Sequence, residues 1–165
     1  IKKVVGTVMT NFGIRKNLNL NGIKFVETDV GDKNVLEAVK KNNCLIGTES
    51  SGHIVRNDII QIPIGDALIT MIKFIHLLYD IDKNIYEVYP KSLKVPSMLI
   101  NVETSSPDIL INNNKSKFTK VEKILQKDGR ILVRKSGTQS MIRILIEHES
   151  EDLLQEAKEV IDTLS

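Results

Sequence analysis

The sequence predicts an α/β protein in two parts. Residues 1–82 read as a parallel-sheet α/β domain and residues 97–165 as a small α+β domain with an antiparallel sheet, with residues 83–96 as the connection. Two observations carry this. The first half alternates strand, helix, strand, helix, strand, which implies parallel strands with right-handed crossovers. The second half runs β-α-β-β-α, the order of a sheet with helices on one face. A third observation, 41% hydrophobic and 27% charged residues, fits a globular chain able to bury a core.

In order, Val4-Val5-Gly6-Thr7-Val8-Met9 is a continuous apolar run, as in a strand covered on both faces. Asn11 can cap a helix through about Leu20, which Asn21-Gly22 stops. Ile23 to Thr28 forms a second strand, and Asp32 caps a helix with Val35, Leu36 and Val39 on one stripe. Leu45-Ile46-Gly47 is a third strand, followed by a short segment from Ile54 to Ile62. Gly65-Asp66 then opens the longest helix, whose Leu68, Met71, Ile72, Ile75 and Leu78 recur at helical spacing and are expected in the core, with His76 a bystander. Periodicity fades from Asp80 to Pro96.

In the second half, Met98 to Val102 is a strand and Asn112-Asn113-Asn114 a polar loop. Phe118, Val121, Ile124 and Leu125 give a helical face ended by Asp128-Gly129. Arg130 to Arg134 and Met141 to Glu147 form a hairpin. Ser150 caps a last helix facing the sheet through Leu153, Leu154, Ala157, Val160, Ile161 and Leu164.

Composition narrows the function. A net charge of +2 and 4% aromatics argue against nucleic acid. No apolar run approaches the ~20 residues of a membrane span. Cys44 excludes an internal disulfide framework and reads as a buried strand thiol in a reducing compartment. The sequence opens in a strand without a leader, as a piece of something longer would.

Three loops after strands carry unusual chemistry. In Val30-Gly31-Asp32-Lys33 the lysine occupies a first helical turn, where the dipole disfavours it; an external anion would explain it, as would plain solvation. In Gly47 to His53, residues Glu49, Ser51 and His53 alternate, so in an extended segment they share a side. A carboxylate, a hydroxyl and an imidazole together suit a polyhydroxylated ligand, although the same residues also make a polar turn. Between Ile131-Leu132-Val133 and Ile142 to Ile146 lies Arg134-Lys135-Ser136-Gly137-Thr138-Gln139-Ser140, which offers a guanidinium, hydroxyls and a turn. Arg134 and Arg143 have the parity opposite to the apolar residues and can converge on a dianion; a bare hairpin turn uses the same Ser-Gly-Thr.

Taken together in this order and spacing, Thr7 to Asn11, Val30 to Lys33, Gly47 to Ile54, Gly65-Asp66 and Arg134 to Gln139 resemble the α-D-phosphohexomutase family, most closely its bacterial phosphoglucosamine mutase branch. The resemblance spans essentially the whole chain. It implies most of the third domain, truncated at its N-terminus, and all of the fourth domain of a four-domain enzyme. The implied reaction interconverts glucosamine 6-phosphate and glucosamine 1-phosphate by intramolecular phosphoryl transfer through a bisphosphate. Phosphoglucomutase or phosphomannomutase differ only in the sugar, and a non-catalytic phosphosugar-binding fragment is the rival of another class.

By that resemblance Glu49, Ser51, Gly52, His53 and Lys33 contact the sugar. Arg134, Ser136, Gly137 and Thr138, with Arg143, grip the phosphate that is not transferred. The family's phosphoserine loop and aspartate-rich Mg2+ loop belong to the first two domains, so this chain is expected to hold no catalytic residue and no metal ligand. Expected partners are the phosphosugar and the N-terminal domains, with no nucleic acid or membrane, in the cytoplasm. Lys135, Gln139 and Ser140 replace the family's usual proline, glutamate and proline, which puts loop rigidity in question. Lys33 stands where arginine is more usual, which keeps the charge but loses the fork.

Overall fold

The computed structural model describes residues 1–57, 64–90, 93–137 and 139–164. Thr138, the latter part of the Ile54–Ile62 segment and residues 91 and 92 of the expected connection lie outside the described residues. The chain divides into two compact units, Ile1–Leu93 and Lys94–Ser165.

The first unit contains β1 (Lys3–Thr7), α1 (Phe12–Leu20), β2 (Lys24–Thr28), α2 (Asp32–Asn42), β3 (Ile46–Thr48), β4 (Ile54–Arg56), β5 (Ile64–Gly65), α3 (Ala67–Asp80) and α4 (Ile85–Val88). Its sheet has the order β2-β1-β3-β4-β5. β1 pairs in parallel with β2 and β3, while β3–β4 and β4–β5 are antiparallel. The sheet is therefore mixed, its parallel part being the alternation legible in the sequence. Asn11 caps α1 by accepting from the Gly13 N–H at 3.0 Å. The start of α2 differs by one residue from expectation. Gly31, at φ 127°, is the N-cap, and Asp32 in the first turn accepts from the Lys33 N–H at 2.7 Å.

The core of this unit is Val5, Val35, Val39, Cys44 and Val55. Gly47 sits where α2 comes closest: an added Cβ would lie 2.5 Å from Val39 Cγ2 and 2.7 Å from Val35 Cγ1. Burial pushes the Cys44 thiol's pKa up, which Lys3 partly opposes.

Helix α3 departs from the sequence reading. Asp66 caps it, accepting from the Ile69 N–H at 2.8 Å, yet its apolar stripe is not core. Leu68 is 63% exposed, Met71 53%, Ile72 54% and Ile75 57%, with Leu78 half-buried. Periodic apolar residues specify a surface that gains by burial; they do not guarantee that its cover lies within these 165 residues. The expected connection is also more ordered than its composition suggests. It holds α4, where Asn84 and Glu87 form a reciprocal capping box.

The second unit contains β6 (Ser97–Glu103), α5 (Pro107–Asn113), α6 (Lys115–Leu125), β7 (Gly129–Lys135), β8 (Met141–His148) and α7 (Glu151–Ile161). The sheet is antiparallel in the order β6-β8-β7. Ile142, Ile144 and Ile146 pack with Phe118, Val121, Leu125, Leu154, Ala157 and Ile161 in one core. The asparagine tract is not a loop: Asn112 and Asn113 end α5, and buried Asn114 donates its side-chain amide to the Leu110 carbonyl at 2.9 Å. That bond joins α5 to α6 with no exposed linker. Helix α6 ends at Leu125, Gln126 taking φ 50°, and Gly129 already begins β7. On the opposite sheet face Arg130 Nε donates to Glu147 Oε2 at 2.5 Å in a mostly buried ion pair.

Candidate functional site

The ends of β1, β2 and β3 lie side by side because these strands are parallel, so their following loops gather at one edge. Glu49 joins them. Its Oε1 accepts from the Gly31 N–H at 2.8 Å, and its Oε2 accepts from Ser51 Oγ at 3.0 Å. Ser50 Oγ donates to the Met9 carbonyl at 3.2 Å, tying the same loop to the end of β1. Residues 49–53 form a turn between β3 and β4 rather than the extended run whose alternation suggested a shared face. The side chains meet nonetheless: Ser51 Oγ lies 3.2 Å from His53 Nδ1, and His53 Nδ1 lies 3.7 Å from Glu49 Oε2. The Glu49 side chain is only 10% exposed, whereas Ser51, Gly52 and His53 face solvent. Glu49 thus holds the turn while the hydroxyl and imidazole are presented.

Gly52 takes φ +99°, which side-chain-bearing residues rarely adopt, and a Cβ there would meet no atom within 4 Å. Lys33 is 83% exposed, its Nζ 4.0 Å from Glu37 one turn along α2. That contact is too exposed and too long to neutralise it. Lys33 follows Gly31 by two residues, so Glu49's bond to Gly31 ties the lysine-bearing loop to the Ser51–His53 turn.

In the second unit Arg134 and Arg143 are direct partners across β7 and β8. Cross-strand partners share a face with Cβ atoms about 5 Å apart. Both side chains leave the same sheet face from neighbouring positions, so both can reach one anion, and among the described residues neither pairs with a carboxylate. Arg143 Nη2 donates to Gln139 Oε1 at 3.1 Å, while its Nε is buried with no hydrogen-bond partner. Lys135 is turned to Asp108, with Nζ 3.0 Å from Oδ1. Ser136 N–H donates to the Met141 carbonyl at 3.0 Å, closing the hairpin loop. That bond, the Lys135–Asp108 pair and the Arg143–Gln139 bond are the contacts that described residues make around the turn. At Gly137 an added Cβ would meet nothing within 4 Å, so the backbone there is open to approach.

Sequence reading missed two participants. Asn101 is the β6 partner of Arg143, extending the Arg134–Arg143 row across the sheet; its polar position within Met98 to Val102 was the available signal. The second is the Gly31 N–H, for which no local pattern announces a partner 18 residues away. Among the described residues no group of three or more His, Cys, Asp or Glu side chains could hold a metal ion, and no helix is long and apolar enough to cross a membrane. The side chains of the described residues do not fit a Mg2+ site.

Two family models match the chain. Residues 1–95 match "Phosphoglucomutase/phosphomannomutase, alpha/beta/alpha domain III", and residues 99–164 match "Phosphoglucomutase/phosphomannomutase, C-terminal domain". The chain belongs to the phosphoglucomutase/phosphomannomutase family. Within this phosphohexomutase family it is similar to the phosphoglucosamine mutase of Natranaerobius thermophilus, 36% identical over 156 residues, covering 93% of this chain and 35% of the relative. The Bacillus subtilis phosphoglucosamine mutase is 39% identical over 155 residues, covering 93% and 34%. That of Aliivibrio fischeri is 35% identical over 164 residues, covering 98% and 36%. The chain thus spans about a third of the length of these curated relatives.

The fold is shared with solved phosphohexomutases. The Aspergillus fumigatus N-acetylphosphoglucosamine mutase superposes with a TM-score of 0.74 at 19% identity, over 97% of this chain and 37% of that one. A Burkholderia thailandensis phosphoglucomutase/phosphomannomutase family protein gives 0.71 at 14%, over 98% and 36%. One Aspergillus fumigatus structure was solved with GlcNAc-6P and magnesium bound to that protein.

Proposed function

We propose that this chain is the substrate-recognition part of a phosphoglucosamine mutase, interconverting glucosamine 6-phosphate and glucosamine 1-phosphate through a bisphosphate. The observation that carries the reading is the Arg134–Arg143 pair, cross-strand partners on one sheet face, neither paired with a carboxylate among the described residues. A phosphate dianion bound there gains charge-assisted, bidentate hydrogen bonds. Ser136 and the open backbone at Gly137 complete this anchor for the phosphate that is not transferred, together with Thr138. Ser51, Gly52 and His53 receive the sugar hydroxyls, with Lys33 beside them and Glu49 holding their turn. The naming of the relatives at 35–39% identity as phosphoglucosamine mutases favours an amino sugar over glucose or mannose.

This chain supplies positioning. A phosphoryl donor and the Mg2+ that would serve it come from polypeptide outside it. The test is a coupled mutase assay on the whole polypeptide. Glucosamine 1-phosphate should be turned over with a kcat/KM well above that for glucose 1-phosphate or mannose 1-phosphate. A preference for either neutral hexose would replace the amino-sugar assignment.

A further inference from the structure

The β7–β8 hairpin places more at its loop end than two arginines. On the sheet face opposite the core, Arg134, Arg143 and Asn101 stand in one row across β7, β8 and β6. Two acids share that face. Glu147, two partner rows away, is engaged by Arg130, and among the described residues Glu103, the partner of Met141, makes no ion pair with either arginine. Lys135, beside Arg134, has its charge met by Asp108, with Nζ 3.0 Å from Oδ1. Arg143 is treated differently. Its Nη2 donates at 3.1 Å to Oε1 of Gln139, four positions back, an amide oxygen that carries no net charge. Arg143 Nε is buried, so the stem of the side chain is packed and only its outer end is left to be steered.

We propose that Gln139 is a positioning residue of the phosphate anchor, its amide oxygen fixing the outer end of Arg143 while leaving the charge of the guanidinium whole. The inference rests on the reading of Arg134 and Arg143 as that anchor. A guanidinium has five N–H donors, so giving one to an amide leaves enough for a bidentate grip on phosphate. A carboxylate at position 139 would hold the guanidinium as well, but it would offset the charge and stand as a like charge beside the incoming dianion. An apolar side chain there would leave the charge whole and the direction free, so that binding would have to order the guanidinium. Glutamine supplies direction without neutralisation.

The test uses the whole polypeptide. Calorimetry reads glucosamine 6-phosphate and glucose 6-phosphate in parallel, so that sugar preference does not decide the outcome. Gln139 is exposed, so its variants keep the fold. Gln139→Met, which keeps the length and loses the acceptor, should raise Kd about three- to tenfold over wild type at low and high salt alike. Gln139→Glu, which keeps the acceptor and adds a charge, should raise it about five- to tenfold in about 20 mM NaCl but no more than about twofold in about 500 mM. In an Arg143→Met background Gln139→Met should be silent, because Gln139 acts through Arg143. Either Gln139 variant within about twofold of wild type at the lower salt, or a Gln139→Met loss that persists without Arg143, would overturn the proposal. Affinity unchanged by Arg143→Met would overturn the anchor reading and this inference with it. Affinity lost through Arg143→Met but not through the Gln139 variants would overturn this inference alone.

Discussion

Replacing Glu49 separates its two jobs. The carboxylate bridges the Gly31 N–H at 2.8 Å and Ser51 Oγ at 3.0 Å, with a side chain only 10% exposed. Hydrogen bonds to a charged group contribute about 1.5–3 kcal/mol each, and here the lower end applies because Ser51 can turn to water. Glu49→Ala loses both bonds and leaves the Gly31 N–H without its acceptor, a cost of about 2–3 kcal/mol. Glu49→Gln behaves differently. Its carbonyl can keep Gly31, its amide can donate to Ser51 Oγ, and Ser51 can then donate to His53 Nδ1. The loss is then about 1 kcal/mol, the usual value for a neutral hydrogen bond in place of a charged one. Urea unfolding of the whole polypeptide measures stability, exchange of the Gly31 amide reports the bond itself, and the coupled assay reads turnover. The expected order of stability is wild type, Gln, Ala, with Gly31 exchange accelerated chiefly in Ala and turnover reduced in both. An Ala variant within about 0.5 kcal/mol of wild type, with unchanged Gly31 exchange, would refute the clamp.

Arg134→Ala should weaken binding of a sugar phosphate by about 1.5–3 kcal/mol, roughly a 10- to 150-fold rise in Kd by calorimetry. Because its partner Arg143 persists, binding should fall without being abolished. Gly47→Ala forces a methyl to within 2.5 Å of Val39 Cγ2 and 2.7 Å of Val35 Cγ1. Overpacking of this kind costs about 1–3 kcal/mol, readable as a lower urea midpoint with the phosphate anchor's affinity unchanged.

Where one chain segment decides its own environment, the sequence was readable. The hairpin is the best case: parity alone put Arg134 and Arg143 on the face opposite Ile142 and Ile144, and the register pairs them. The β1-α1-β2-α2-β3 alternation likewise foretold parallel strands whose end loops meet. Reading failed where the outcome depended on something distant. The stripe of α3 looked like core because periodicity cannot say whether its partner is in the chain. Glu49 could be read either as a ligand group or as part of a polar turn, since nothing local reveals that Gly31 would claim one of its oxygens. The asparagine tract looked like a loop because Asn114's buried bond to Leu110 is a helix-junction device, not a pattern of composition. Thr138 was proposed as a phosphate contact and is outside the described residues.

The Glu49–Ser51–His53 cluster invites a nucleophilic reading, since it contains the residue types of a hydrolytic triad. Its wiring argues against that. In a working triad the carboxylate orients one imidazole nitrogen and the other takes the proton from the serine. Here Ser51 Oγ, at 3.2 Å, and Glu49 Oε2, at 3.7 Å, approach the same nitrogen, His53 Nδ1. Ser51 also donates directly to Glu49 at 3.0 Å, so its proton is held by a carboxylate whose charge already serves the Gly31 N–H. Nothing in that arrangement polarises the hydroxyl toward phosphorus through a poised base. The chain alone should therefore bind phosphosugars without turning them over. With glucose 1,6-bisphosphate and Mg2+ present, the 165-residue chain should show no mutase activity in a coupled assay in which the whole polypeptide is active. Turnover by the isolated chain, abolished by Ser51→Ala, would place a nucleophile in this turn and overturn the division of labour argued above.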